Sequence, residues 1–228
     1  MPDLHLGFLL FPRLTALDLI GPVEVLGQLP GAVLHLLAAT PDPVAPERGP
    51  RMTPTGLLGA APALDVLCVP GGPGVDAVLS DDHVLDELAA QGARARYVTS
   101  VCTGALALGA AGLLAGYRAT THWLSLDLLP IFGATPAAER VATDRNRITG
   151  GGVTAGLDFG LSLAALLAGE DVARRIALSL EYDPAPAYPG SPRTAGPGLV
   201  ADVTAVRRSA QDDRRRRCLA AAARRGTR

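Results

Sequence analysis

The sequence predicts an α/β protein: a doubly wound, mostly parallel sheet with helices on both faces and a nucleophile elbow at the sheet's carboxyl edge. Three observations predict it. Short apolar runs alternate with helix-period segments from His5 to Tyr182, the pattern of repeated strand–helix units. The runs are continuously apolar rather than alternating, as strands covered on both faces are. One run, Tyr97-Val98-Thr99-Ser100-Val101, stops at Cys102 and passes through Thr103-Gly104 into a small-residue helical stretch, Ala105 to Gly112. A strand that ends on a nucleophilic side chain and turns at once into a helix is an elbow.

The elements follow in order. His5 to Phe11 reads as a first buried strand, ended by Pro12. Thr15 to Gln28 has helical spacing through Leu17, Ile20, Val23 and Leu26. Pro22 predicts a separate first turn and a main helix beginning near Pro22. Val33 to Ala39 is a second strand, and the Pro-rich stretch Pro41 to Leu58 a loop or irregular β excursion. Asp65 to Val69 is a third strand, closed by Pro70-Gly71-Gly72-Pro73-Gly74. Asp81 to Ala93 is an amphipathic helix with acidic residues at its N-terminus, where negative charge is favoured. After the elbow come a short strand (Arg118 to Thr121) and a short helix (Leu124 to Phe132). Two small strands, Arg140 to Thr143 and Arg147 to Thr149, join around Asp144-Arg145-Asn146. Helices from Thr154 to Ala168 and from Glu170 to Tyr182 complete the pattern. Residues 1–197 are expected to form one α/β domain. Residues 198–228 form an Arg-rich tail, expected to be partly disordered.

Composition removes several function classes. A net charge of −1 gives no global field toward nucleic acid or a membrane surface. The nine arginines of Ala205 to Arg228 offer only weak evidence for nucleic-acid contact, so no nucleic-acid partner is expected. The longest apolar stretch, Leu157 to Ala168, carries Asp158 and is too short to span a bilayer. Met1 to Leu10 lacks the features of a signal peptide. Cys68, Cys102 and Cys218 are odd in number and widely spaced, which fits neither a disulfide framework nor a zinc site. A reducing, cytoplasmic location is expected, with no metal and no cofactor.

Three loops converge at the carboxyl edge, where open parallel sheets form their sites. The elbow offers Cys102 as nucleophile, its thiol pKa expected to be lowered by the helix start; a buried core cysteine is the commoner fate. The glycine-rich loop offers the Gly72 N–H as a donor to the reaction partner, with a plain tight turn as the alternative. The first loop carries Asp18 within Ala16-Leu17-Asp18-Leu19-Ile20. A helix cap is its ordinary role, but an apolar setting beside a thiol raises a carboxyl pKa and makes it a proton donor near neutrality. Glu24 reads as a helix-face residue. Of the four histidines only His122 is a site neighbour, and they show no metal-ligand spacing.

Several segments carry a family resemblance that covers Leu4 to Pro197. They are Asp18-Leu19-Ile20-Gly21-Pro22-Val23-Glu24-Val25, Pro70 to Gly74, Thr99 to Ala105, Gly116 to Trp123, Thr149 to Gly152, Glu181 to Pro184 and Gly190-Ser191-Pro192. The chain resembles the ThiJ/PfpI superfamily, with its glutamine-amidotransferase-like fold, and within it looks most like the isocyanide hydratases. Related segments occur in regulators fused to a helix-turn-helix region, for which this chain is expected to end too early. The resemblance implies hydration of organic isocyanides to N-substituted formamides. Cys102 would form a covalent thioimidate, Asp18 would move both protons, and Thr103 would place water or substrate. It also implies that Gly151 and Val153 lie near the thiol. Its partners would be a small neutral isocyanide and water, and the chain would form a homodimer through Ala16 to Leu26. In the protease and glyoxalase branches His follows the nucleophilic Cys and Glu lies near strand one. Here those positions hold Thr103 and Asp18, against peptidase, deglycase and glyoxalase readings. The alternatives are a redox or small-molecule sensor using the elbow thiol, or another thiol-dependent hydrolase.

Overall fold

A computed structural model describes residues 3–226. Its centre is a seven-stranded sheet in the order β3-β2-β1-β4-β5-β9-β8. The strands are β1 (Leu4–Leu9), β2 (Ala32–Ala38), β3 (Gly56–Leu57), β4 (Val66–Val69), β5 (Tyr97–Val101), β8 (Val141–Asp144) and β9 (Arg147–Gly150). All neighbours are parallel except β8 and β9, which pair antiparallel. Two short strands, β6 (Arg118–Ala119) and β7 (Thr135–Pro136), pair with each other outside this sheet.

The middle strands form because their residues want burial on both faces. In β4 every residue is fully buried, and β5 is buried from Val98 onward. The register sets Cys68 beside Thr99 and Val101 beside Gly150, so the ends of β4, β5 and β9 lie together. From β1 the chain runs outward to β2 and then crosses back to β4. The resulting switch point places the loops after β1, β4 and β5 at one edge.

The helices are α1 (Ala16–Leu26), α2 (Val75–Val78), α3 (Asp82–Arg94), α4 (Gly104–Ala110), α5 (Ala155–Ala168), α6 (Glu170–Ser179) and α7 (Pro197–Arg225), with a 3₁₀ helix over Trp123–Phe132. Asp81 caps α3 by accepting from the Val84 N–H at 3.2 Å.

Two expectations are corrected. Pro22 does not begin a new helix; α1 runs continuously through it. Packing on α5 overrides the local penalty. Glycine faces proline there: a Cβ on Gly156 would stand 3.1 Å from the Pro22 ring, and one on Gly160 would stand 2.8 Å from Val25. The tail is not disordered over its described length. It forms the 29-residue helix α7. Arg214, Cys218, Ala221 and Ala222 fall on one face at helical spacing and are buried. Its arginines reach Asp76, Asp127, Asp82 and Asp86 on the body of the protein. Thr227 and Arg228, included in that expectation, lie outside the described residues.

Candidate active site

The elbow is built by backbone geometry that few residues tolerate. Cys102 has φ +55°, in the left-handed region. Holding a side chain there costs about 1–2 kcal/mol, so the surroundings must fix it. They do: the Cys102 N–H donates to the carbonyls of Gly150 (3.0 Å) and Gly151 (2.8 Å), and its own carbonyl accepts the Thr121 hydroxyl at 2.7 Å. The helix behind it starts hard against β4. A Cβ on Gly104 would lie 2.1 Å from the Val69 carbonyl oxygen, so only glycine fits.

Asp18 lies in the first turn of α1 and is fully buried. Its Oδ2 accepts the Gly71 N–H at 3.0 Å. Its Oδ1 is buried with no hydrogen-bond partner among the described residues. Gly71 is wedged between carboxyl and thiol: a Cβ there would fall 2.8 Å from both Asp18 Oδ2 and Cys102 Cβ, and 2.5 Å from the Thr103 nitrogen. The glycine-rich loop thus lets the first loop and the elbow meet.

Burial raises the pKa of Asp18 to about 7, against the smaller opposing pull of the Gly71 N–H and the Cys102 thiol. Burial also pushes the Cys102 thiol well above its ordinary value, and the Asp18 charge pushes it further. The Thr103 N–H and the charge of Arg214 pull it down. The expected helix-lowered thiol is therefore corrected. The thiol is nearly sealed from water, and α4 has only seven residues. Above about pH 7 the pair carries one negative charge, on Asp18, and below it none.

The remaining sequence candidates fall at different distances from this pair. The Thr103 hydroxyl is committed to Gly72, accepting from its N–H at 3.0 Å and donating to its carbonyl at 3.3 Å. What Thr103 turns toward the thiol is its backbone N–H. The Gly72 N–H is spent on that hydroxyl, so Gly72 does not present a free donor to a reaction partner; its φ of +123° makes it the turn residue of the loop. The Gly151 carbonyl accepts the Cys102 backbone N–H, and its own N–H donates to the Arg140 carbonyl at 2.9 Å. Val153 is half-buried and packs against the apolar core. Glu24 is exposed on the helix face. His122 stands next to Thr121, with its Nδ1 accepting the Leu124 N–H at 3.3 Å. Burial lowers its pKa, and nearby Arg214 and Arg207 lower it further, so it is neutral at pH 7.

Similarity to known proteins agrees with this architecture. The DJ-1/PfpI family model matches residues 6–166. The chain belongs to the DJ-1/PfpI family. It is 53% identical over 200 residues to an isonitrile hydratase of Pseudomonas putida, covering 87% of each chain. It is 34% identical to the HTH-type transcriptional regulator GbdR of Pseudomonas aeruginosa, but spans only 50% of that protein's length. A crystal structure of a THiJ/PfpI family protein from Pseudomonas syringae superposes with a TM-score of 0.93 at 44% identity, covering 96% of this chain and 91% of the other.

Within this DJ-1/PfpI site, sequence reasoning missed Arg214. It is buried on α7, with its charge close enough to bear on both Cys102 and His122. No local motif marks it, because its partner Asp76 lies 138 residues away. The only available signal was the helical spacing of Arg214, Cys218, Ala221 and Ala222. Among the described residues no cluster of three or more His, Cys, Asp or Glu side chains is arranged to hold a metal ion, and no helix is long and apolar enough to cross a membrane.

Proposed function

We propose that this chain hydrates organic isocyanides to N-substituted formamides. One observation carries the reading. A nucleophilic thiol at an elbow faces a buried carboxyl whose pKa is about 7 and whose Oδ1 is unengaged. A relative at 53% identity named isonitrile hydratase supports the choice of substrate class.

The mechanism uses only these groups. Asp18, as carboxylate, takes the thiol proton as Cys102 Sγ attacks the terminal isocyanide carbon. The new S–C bond leaves an electron pair on that carbon, and Asp18 returns the proton to it. The product is a neutral thioimidate, R–N=CH–S–Cys102. Asp18 then takes a proton from water as the water oxygen adds to the same carbon, and passes that proton to the nitrogen. As Asp18 moves the hydroxyl proton to the sulfur, the C–S bond breaks, R–NH–CHO leaves and the thiol is restored. The thiol proton ends on the product carbon, and the two protons of water end on its nitrogen and on the restored thiol, so no external acid is consumed. General acid–base transfer of this kind contributes about 10²–10⁴-fold. The Thr103 N–H supports the sulfur while it is charged.

The test is formamide formation from an alkyl isocyanide by wild type and Cys102→Ala. Turnover that disappears in the variant supports the reading; none in either protein overturns it. A peroxide-sensing role loses ground, because sensor thiols are exposed and have low pKa values, whereas Cys102 is neither. Leu17 and Ile20 on α1 and Leu166 on α5 are exposed apolar side chains on two helices packed together. They support a homodimer through this face, and a monomer by light scattering at micromolar concentration would refute it.

A further inference from the structure

The fork of Arg214 ties α7 to the turn beneath the site. Its Nε donates to Asp76 Oδ1 at 2.7 Å and its Nη2 to Asp76 Oδ2 at 3.3 Å. Gln211, with its amide nitrogen donating to Ser125 Oγ (2.9 Å) and the Leu124 carbonyl (3.1 Å), accepts Arg214 Nη1 at 3.2 Å. All three guanidinium nitrogens are therefore engaged, and the group is buried. A buried arginine held this way has one orientation.

Asp76 opens the short helix α2, two residues after Gly74. The turn before it supplies the Gly71 N–H that holds Asp18 and the Gly72 groups that hold Thr103. Neighbouring contacts fix the same region from the same helix. The Arg224 guanidinium donates to the Leu79 carbonyl just after α2, and that of Arg225 to the Ala110 carbonyl at the end of α4.

We propose that Arg214 is a positioning residue for the Cys102 chemistry, acting through Asp76 on the turn that holds Asp18 and Thr103. Its charge adds a second effect. The groups that bear on Cys102 are Asp18 from α1, the Thr103 N–H at the elbow and Arg214 from α7; His122, ahead of the 3₁₀ helix, is neutral. Among the described residues, Arg214 is thus the cation that offsets burial and the Asp18 charge at the thiol. Arg214 touches Asp76 and Gln211, and its charge also bears on His122 and Cys218. The C-terminal helix is, on this reading, part of the active-site apparatus.

The consequence for turnover rests on the hydratase reading; the consequence for the thiol does not. The experiment measures Cys102 alkylation by iodoacetamide from pH 6 to 10, following the Cys102 peptide by mass spectrometry, alongside formamide production. In Arg214→Met the alkylation profile moves to higher pH, with a rate at pH 8 lower by at least ~3-fold, the ratio for about half a pK unit. Turnover falls at least ~10-fold. Arg214→Lys keeps the charge but not the fork: its alkylation profile returns toward wild type while turnover stays reduced. Asp76→Asn, which leaves Arg214 in place, also reduces turnover and serves if Arg214→Met does not fold. An unchanged alkylation profile in folded Arg214→Met, or one shifted equally in Arg214→Lys, overturns the electrostatic part. Wild-type turnover in Asp76→Asn overturns the positioning part. A shifted profile in Arg214→Met, when the wild-type protein shows no hydratase activity, sinks the substrate assignment and leaves the electrostatic role of Arg214 standing.

Discussion

Replacing Asp18 with Asn should stabilise the protein at alkaline pH and disable it at the same time. The side chains are nearly the same size, and the Asn carbonyl can keep the Gly71 N–H held at 3.0 Å. What changes is charge. Asp18 is raised by burial from 3.8 to about 7 in the folded chain. The folded state therefore holds a proton that the unfolded state releases, and linkage fixes the sign. Below about pH 4 both states are protonated and the group costs nothing. Between about 4 and 7 the unfolded chain ionises first, so stability falls with rising pH, and above about 7 the full penalty stands. The gap corresponds to about 4 kcal/mol. Asn cannot ionise, so the stability of Asp18→Asn relative to wild type should climb by a few kcal/mol between pH 4 and pH 8 in urea titrations. Formamide turnover in the same variant should fall ~100-fold or more, the usual range for losing an acid–base group. Wild-type turnover should rise with pH through about 7, since the doubly protonated pair cannot start the reaction, and that inflection should vanish in the variant. A relative stability independent of pH would refute the buried, raised carboxyl. Full turnover in Asp18→Asn would remove Asp18 from the chemistry.

Other perturbations test separate parts of the structure. Gly104→Ala places a methyl 2.1 Å from the Val69 carbonyl; it should lower unfolding free energy by at least ~3 kcal/mol in urea titrations and abolish turnover by moving Cys102. Gly71→Ala, crowded by Asp18, Cys102 and Thr103, should cost turnover more than stability, compared by kcat and Tm. His5 Nδ1 and His35 Nε2 share a hydrogen bond at 2.9 Å, and burial followed by the His5 charge lowers the His35 pKa. That contact's stability should be full above about pH 6.5 and diminish below it, and His35→Gln should flatten this share of the acid limb of the urea midpoint.

The sheet was legible because its strands are dense apolar runs, and Tyr97–Val101 matched to the residue because its end is chemical: a nucleophile followed by Thr-Gly. Cys102 and Asp18 were legible for a related reason, one as a polar atom at a strand end and the other as a carboxylate among residues that bury. Other features depend on distant partners. The two-residue strands β3 and β7 carry no periodic signal. The continuity of α1 through Pro22 depends on Gly156, more than a hundred residues away. The tail looked disordered because its arginines were read as a charge run. Their carboxylate partners, Asp76, Asp82, Asp86 and Asp127, are scattered across another part of the sequence.

Burial explains why one carboxyl suffices here. A carboxyl at its ordinary value is ionised throughout the neutral range and has no proton to return to the substrate carbon. Sealed beneath Gly71, Asp18 is raised to about 7, so near neutral pH it can take the Cys102 proton and give it up again. An isocyanide suits such a site. It is neutral, so it enters without needing a counter-ion, and its terminal carbon first accepts the sulfur electron pair and then the displaced proton. A charged substrate would face the same desolvation penalty that shifts Asp18, and Arg214, whose charge reaches the thiol, is already committed to Asp76 and Gln211. Substrate range should therefore track apolar bulk rather than charge: neutral alkyl and aryl isocyanides should turn over, and an isocyanide carrying a carboxylate near the reacting carbon should lose kcat/KM by ~100-fold or more, the scale of leaving a buried charge unpaired. Equal kcat/KM for the two classes would show that the cavity is wetter than its burial implies, and the shared-proton account would fail with it.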